Sequence, residues 1–188
     1  MYKRQIVVID LEDFSIPVAI STPSISANDL RDISSSQYQD LLNDPTRPLF
    51  NRAFMGLYPP ASAIKPLLTI FALNNEYTNW TETILDDGFF RFEEEERVFN
   101  AWREGGHGLT DLEKALVESS NPFFMNLSIR YEKDLFVEFL KSSSFGSKLC
   151  EDCYPHQFSP LINDDWKYKN FGKELYKGDF INLGVGQG

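Results

Sequence analysis

The alternation of apolar and polar positions begins with two short β-branched runs, residues 6–9 and 18–20, separated by the polar stretch 10–15. This spacing predicts a β-hairpin. Pro17 weakens the second strand or places it at an edge, because proline has no N–H to give the ladder. Residues 21–51 are rich in Ser, Asn, Asp and Pro and predict a surface excursion with one short helix near 37–42. After the breaker Tyr58-Pro59-Pro60, residues 61–73 carry Ile64, Leu67, Leu68, Ile70 and Phe71 at the spacing of a buried helix. Pro66 fits there only in the first turn, which also holds Ser62 and Lys65. Thr110-Asp111-Leu112-Glu113 reads as a capping box with Thr110 as N-cap, opening a helix that ends at Ser119-Ser120-Asn121. Pro122 then starts an apolar helix over 123–129. Asp134 is expected to cap another over 135–140, closing near Gly146. The glutamate run at 93–96 reads as a solvated face.

Composition narrows the class. The chain has 188 residues, a net charge of −10 and 42% hydrophobic residues, the profile of a globular domain. The excess of carboxylates and the absence of a basic stripe argue against a nucleic-acid partner. No apolar run approaches the roughly 20 residues that cross a bilayer. Residues 1–5 match the translated end of a common transposon-based sequencing adapter and are set aside as foreign, leaving 6–188 as the domain sequence.

The candidate chemistry centres on Ser62-Ala63-Ile64-Lys65. On a helix, i and i+3 share a face, which puts the lysine amine within reach of the serine hydroxyl. Serine needs a base to become a nucleophile, and a lysine whose pKa is depressed by burial can serve. The bland alternative is Ser62 as a helix cap and Lys65 reaching for solvent; with 16 Ser and 10 Lys, about one SxxK arises by chance. Ser119-Ser120-Asn121 supplies an SxN element at a helix-to-helix junction, where a hydroxyl and an amide can be aimed into a cleft. Ser26-Ala27-Asn28 has the same pattern but lies in the polar excursion. Cys150 and Cys153, with His156 nearby, form a single CxxC without a second ligand pair, which points to paired or free cysteines and away from a metal.

Longer segments carry a family resemblance. Leu41-Leu42-Asn43-Asp44-Pro45-Thr46-Arg47-Pro48-Leu49-Phe50-Asn51-Arg52-Ala53 and Gly56-Leu57-Tyr58-Pro59-Pro60-Ala61-Ser62-Ala63-Ile64-Lys65-Pro66 resemble the approach to the nucleophile, and the nucleophile segment itself, of the transpeptidase domains of class B penicillin-binding proteins. Trp102, Gly105-Gly106-His107-Gly108, Asp111-Leu112, Gly178-Asp179 and Gly184-Val185-Gly186-Gln187-Gly188 are similar to later segments in the same order, and the cell-elongation branch of the family is the nearest match. The resemblance implies a mixed α/β (α+β) fold of the β-lactamase and transpeptidase type, with an antiparallel sheet beside a helical lobe. By position it implies Ser62 as the acylated nucleophile, Lys65 as its base, Ser119 as a proton relay and Asn121 as a holder of the substrate peptide. The implied reaction is acyl transfer from the D-Ala-D-Ala end of a peptidoglycan stem peptide to a neighbouring strand, at the periplasmic face of a bacterial inner membrane. β-Lactams would acylate the same serine, no cofactor is implied, and elongation-complex membrane proteins are the implied partners. A serine β-lactamase or D,D-carboxypeptidase shares the SxxK logic. A non-catalytic cell-wall scaffold is the reading from another class.

Four departures from the family pattern stand out. The family usually has Gly at Ala61. The third motif, Lys-Ser/Thr-Gly, is absent, so the chain is expected to be the first part of a larger domain, inactive and unable to fold alone. Phe14 stands where a hairpin glycine is expected, so a reshaped turn is anticipated. Some Gram-negative relatives hold zinc through two Asp, a His and a Cys; here His107 and one of Asp86 or Asp87 match, while Ala101 and Ser120 replace the other two. No metal is expected there, with His107 as a structural hydrogen-bonding residue.

Overall fold

Residues 3–92, 96–147 and 159–187 are described in a computed structural model, in which the chain divides into two units: Met1–Leu57 with Lys148–Ser159, and Tyr58–Ser147 with Pro160–Gly188. Cys150, Cys153 and His156 lie outside the described residues, as does most of the glutamate run. No helix among the described residues is long and apolar enough to cross a membrane.

The first unit opens with the expected hairpin. β1 (Arg4–Val8) pairs antiparallel with β2 (Val18–Thr22) in the register Ile6↔Ile20, and the pairing extends to Arg4 and Gln5 opposite Thr22 and Ser21. The strand thus includes two residues that the sequence reading set aside. β2 begins after Pro17, which therefore forfeits no ladder bond. At the turn Asp10 N–H donates to Ser15 O, and the Asp13 carboxylate accepts from Ser15 N–H. Phe14 takes the left-handed conformation, φ +59°, that a glycine would occupy there. A phenylalanine thus carries the left-handed position of this turn.

The polar excursion holds two helices where one was expected, α1 (Ala27–Arg31) and α2 (Ser35–Asn43), and a short α3 (Arg52–Met55) follows directly after it. Ser26 caps α1 through its hydroxyl, and Ser34 with Gln37 forms a complete capping box on α2. Buried residues are few here, and the largest is Arg52, 4% exposed. Its guanidinium donates to the carbonyls of Thr46, Arg47, Phe50 and Pro23, so one planar fork gathers the turns of the excursion. Ser21 ties β2 to α3, donating to Asn51 Oδ1 and accepting from Ala53 N–H.

The second unit contains the hydrophobic core. A 3-10 turn (Ala61–Ile64) leads into α4 (Lys65–Asn74), followed by α5 (Leu112–Val117), α6 (Asn121–Ser128), α7 (Lys133–Ser142), α8 (Asp164–Phe171) and α9 (Lys177–Leu183). Leu68, Phe71, Leu112, Phe124, Leu127, Phe136 and Ile181 are its fully buried apolar side chains. The rings of Tyr77, Tyr131, Phe136 and Phe139 pack around Phe71 at centroid distances of 4.8–5.6 Å. Two further antiparallel pairs join the helices. β3 (Ile84–Asp86) pairs with β6 (Gly108–Thr110), and β4 (Phe89–Phe92) with β5 (Arg97–Asn100). The antiparallel component is thus three separate two-stranded sheets among the described residues.

Three boundaries differ from expectation for local reasons. Thr110 is the last residue of β6, so the N-cap of α5 passes to Asp111, whose carboxylate accepts from Lys114 N–H. Glu132 caps α7, accepting from the N–H groups of Asp134 and Leu135; Asp134 lies inside the first turn. Pro66 does sit in the first turn of α4, but the turn before it is 3-10, and this moves Ser62 out of the α-helix.

Candidate active site

The 3-10 turn sets the geometry of Ser62. Ala61 has φ +50°, a left-handed conformation held because its N–H donates to Gly186 O at 2.9 Å. Gly186, itself at φ +67°, lies so close that a Cβ on it would stand 2.2 Å from Ala61 O, which only glycine avoids. Ser62 is exposed and caps neither helical segment, which removes the capping alternative.

Lys65, the first residue of α4, is 2% exposed and does not reach for solvent. Its ammonium donates to Ser119 O at 2.9 Å, Ser119 Oγ at 3.1 Å and Asn121 Oδ1 at 2.8 Å, and stands 5.3 Å from the centre of the Phe124 ring. Burial pushes the Lys65 pKa down to about 8, with the Asp86 carboxylate pulling in the opposite direction. Ser119 Oγ in turn donates to Ser62 Oγ at 3.0 Å. Helical spacing suggests a direct Ser62–Lys65 contact; the structure instead places Ser119 Oγ between them, in a three-membered chain, Lys65–Ser119–Ser62.

Ser119 and Asn121 come from the junction of α5 and α6. Ser119 adopts φ +55°, while Ser120 caps α6 through Phe123 N–H at 3.2 Å. A non-glycine residue in this region costs about 1–2 kcal/mol and persists only when its surroundings fix it. Here Ser120 N–H to Ala115 O and the Lys65 contacts do so. The four sequence candidates, Ser62, Lys65, Ser119 and Asn121, therefore converge. Ser26 of the other SxN serves as the cap of α1.

Behind the junction lies the group of partial metal-site matches in which His107 is expected as a structural hydrogen-bonding residue, and it is one. Asp86, fully buried at the end of β3, accepts from Ser120 Oγ at 2.6 Å, His107 Nδ1 at 2.7 Å and Gly88 N–H at 2.9 Å. Burial alone would raise its pKa, but the hydrogen bonds from Ser120, His107 and Gly88 outweigh it and the net effect is to lower it. An ionised carboxylate can only accept, so Nδ1 of His107 carries the proton. His107 N–H also donates to Asp86 O at 3.0 Å, and a Cβ on Gly106 would sit 2.0 Å from that oxygen. The glycine-rich Gly105-Gly106-His107-Gly108 segment is what lets the histidine approach. A zinc ion does not fit these residues. Both Asp86 oxygens are already engaged and Ser120 offers a neutral hydroxyl that donates to the carboxylate, so His107 Nε2 is left as a single unpartnered donor atom of this group where zinc takes four ligands.

Comparison with known proteins agrees with this geometry. The penicillin binding protein transpeptidase domain profile matches residues 5–186. The peptidoglycan D,D-transpeptidase MrdA of Haemophilus influenzae is 35% identical over 99% of this chain, which spans 29% of that protein. Among solved structures, the penicillin-binding protein PBP2 of Helicobacter pylori in complex with MreC superposes with a TM-score of 0.88 at 30% identity, covering 99% of this chain and 35% of that one. PBP2 of Pseudomonas aeruginosa in complex with WCK 5153 gives 0.86 at 29% identity, covering 98% and 42%. The chain spans about a third or less of the curated relatives it matches at full coverage. Profile, identity and superposition lead to one conclusion: this chain belongs to the penicillin-binding protein transpeptidase domain family.

Proposed function

We propose that this chain is the first part of the transpeptidase domain of a peptidoglycan D,D-transpeptidase, and that Ser62 is its acylated nucleophile. The observation that carries the reading is the continuous Lys65–Ser119–Ser62 chain ending at a buried amine of lowered pKa. With Lys65 protonated, the hydrogen bonds run outward, amine to Ser119 to Ser62. When Lys65 loses its proton, the chain reverses: Ser62 donates to Ser119 and Ser119 to the free amine, which strips Ser62 as it attacks the carbonyl carbon of the penultimate D-Ala. The proton collected on Lys65 returns through Ser119 to the nitrogen of the departing D-Ala. An amine of a neighbouring strand then attacks the acyl carbon; its proton passes through Ser119 to Lys65 and returns through Ser119 to Ser62 Oγ as the ester bond breaks, which restores the free serine. Asn121 spends Oδ1 on Lys65, which leaves Nδ2 to donate to a substrate carbonyl. Ser62 N–H, unused by the backbone, supplies one oxyanion donor.

The substrate of this reading is a D-Ala-D-Ala stem peptide, β-lactams are its covalent mimics, and the setting is the periplasmic face of the inner membrane with elongation-complex membrane proteins as partners. MrdA relatives and the solved PBP2–MreC complex support that setting. The test is covalent labelling of the full-length protein that carries this sequence with a fluorescent penicillin. One equivalent should attach, at Ser62 by peptide mass mapping, and Ser62→Ala should abolish it. Labelling that survives Ser62→Ala, or a wild type that stays unlabelled, would reject the reading.

A further inference from the structure

Ser119, Ser120 and Asn121 are held from two sides by opposite charges. Lys65 takes the outer pair, bonding Ser119 Oγ, Ser119 O and Asn121 Oδ1, while Asp86 takes the middle residue through Ser120 Oγ. Both charged groups are buried, Lys65 at 2% and Asp86 at 0% exposure. Ser120 Oγ also accepts from Phe123 N–H, so the hydroxyl that Asp86 holds fixes the first turn of α6, on which Asn121 sits. His107 fixes the carboxylate in turn, through Nδ1 to Oδ2 and its own N–H to the Asp86 carbonyl. Ser119 sits in a left-handed conformation that relaxes unless its neighbours prevent it.

We propose that Asp86, oriented by His107, is a positioning residue for the acyl-transfer site: through Ser120 it sets the placement of Ser119 and Asn121, and no metal ion is needed for this. The claim rests on the proposed function only in that Ser119 and Asn121 matter to acylation. Asp86 touches neither substrate nor the reacting atoms. Loss of its bond to Ser120 allows the SxN junction to relax, Ser119 Oγ leaves the line between Lys65 and Ser62, and proton transfer slows. Noncovalent recognition, which does not need that relay, is kept.

The test uses the full-length protein, with Asp86→Asn, Ser120→Ala, the double variant, Ser120→Thr, and Leu140→Ala as a core-destabilised control away from the network. Acylation by a fluorescent penicillin at saturating concentrations separates the noncovalent dissociation constant from the first-order acylation rate. Asp86→Asn and Ser120→Ala should each slow acylation tenfold or more with the dissociation constant within twofold. The double variant should be no slower than the worse single, because both remove the same contact. Ser120→Thr, which keeps the hydroxyl, should recover most of the rate, and Leu140→Ala should keep it. Hydrogen exchange gives a second reading that needs no acylation: the amides of Ser120, Asn121 and Phe123 should exchange at least tenfold faster in the Asp86 and Ser120→Ala variants than in wild type or the control. The full rate with Asp86→Asn and Ser120→Ala, additive losses in the double variant, or unchanged exchange would each overturn the proposal. A wild type that penicillin does not label would reject the function instead, and the exchange result would then decide the positioning claim alone. Metal content completes the set: zinc bound stoichiometrically by the wild type and lost in the Asp86 variant would overturn the metal-free part.

Discussion

The clearest quantitative consequence concerns the pH at which Ser62 becomes reactive. With a pKa of about 8, Lys65 is neutral in about one molecule in ten at pH 7, whereas at the ordinary 10.5 the share would be below about one in a thousand. If the free amine is the base that empties the Ser119 relay, the first-order acylation rate should rise about tenfold from pH 7 to a plateau above pH 9, with its midpoint near 8. Stopped-flow acylation of the full-length protein between pH 6 and pH 10 measures this. A flat profile, or a midpoint at 10 or above, would refute the assignment of Lys65 as base. Asp86→Asn sharpens the test: its carboxylate raises the Lys65 pKa, so its removal should move the midpoint below that of wild type while the plateau falls. An upward move would contradict the electrostatic argument. The same shift links to stability. The folded pKa lies below the unfolded one, so the unfolded state holds the extra proton between about 8 and 10.5, and stability rises with pH across that window. At 1.36 kcal/mol per pKa unit this group contributes about 3 kcal/mol over the window. Lys65→Met should flatten the rise, as read by denaturant unfolding at pH 8 and pH 10.

Three further substitutions probe the frame. Ala61→Gly should raise stability by about 0.5–1 kcal/mol, because glycine occupies φ +50° without strain, offset in part by the freedom it adds to the unfolded chain; a lowered melting temperature would contradict this. Gly186→Ala should destabilise by about 2 kcal/mol or more and suppress penicillin labelling, since its Cβ meets Ala61 O at 2.2 Å; normal labelling would show that the turn has room. Arg52→Met should leave the carbonyls of Thr46, Arg47, Phe50 and Pro23 without their shared donor, at about 1–3 kcal/mol, and accelerate limited proteolysis within residues 44–56. Unchanged cleavage there would assign Arg52 a lesser part.

The site was legible in the sequence to the extent that its chemistry is local. SxxK and SxN pick out Ser62, Lys65, Ser119 and Asn121, the four side chains that converge, because a serine activated by a lysine demands particular residue types; the relay proposed for Ser119 came from the family resemblance. Helix existence followed equally well from the apolar spacing of 61–73 and 123–129. What the spacing could not give was the 3-10 turn at Ala61–Ile64, fixed by a hydrogen bond to Gly186 far along the chain, or the placement of Ser119 between Ser62 and Lys65, which depends on a junction more than fifty residues away. The pairs β3–β6 and β4–β5 escaped notice because each strand has only three or four residues, too short for a period of two to register. Asp86 was seen as a matched position, but its partner Ser120 looked like a loss, since a serine in place of a metal-binding cysteine has no evident use until its hydroxyl is found on the carboxylate. The capping box expected at Thr110 is replaced by a simple Asp111 cap because a strand claims the threonine first, whereas Ser34 and Gln37, unremarked in the sequence, form a complete box.

The bond between Ala61 and Gly186 bears on the order in which this molecule acquires reactivity. Joining residues from nearly opposite ends of the second unit is entropically slow, and contacts of this separation form late relative to the helices around them. The core of α4, α6 and α7 can therefore be packed while the serine turn is still unset. During synthesis, the turn that carries Ser62 cannot take its final geometry until the ribosome has released the segment around Gly186, so a segment far along the chain sets the geometry of the serine.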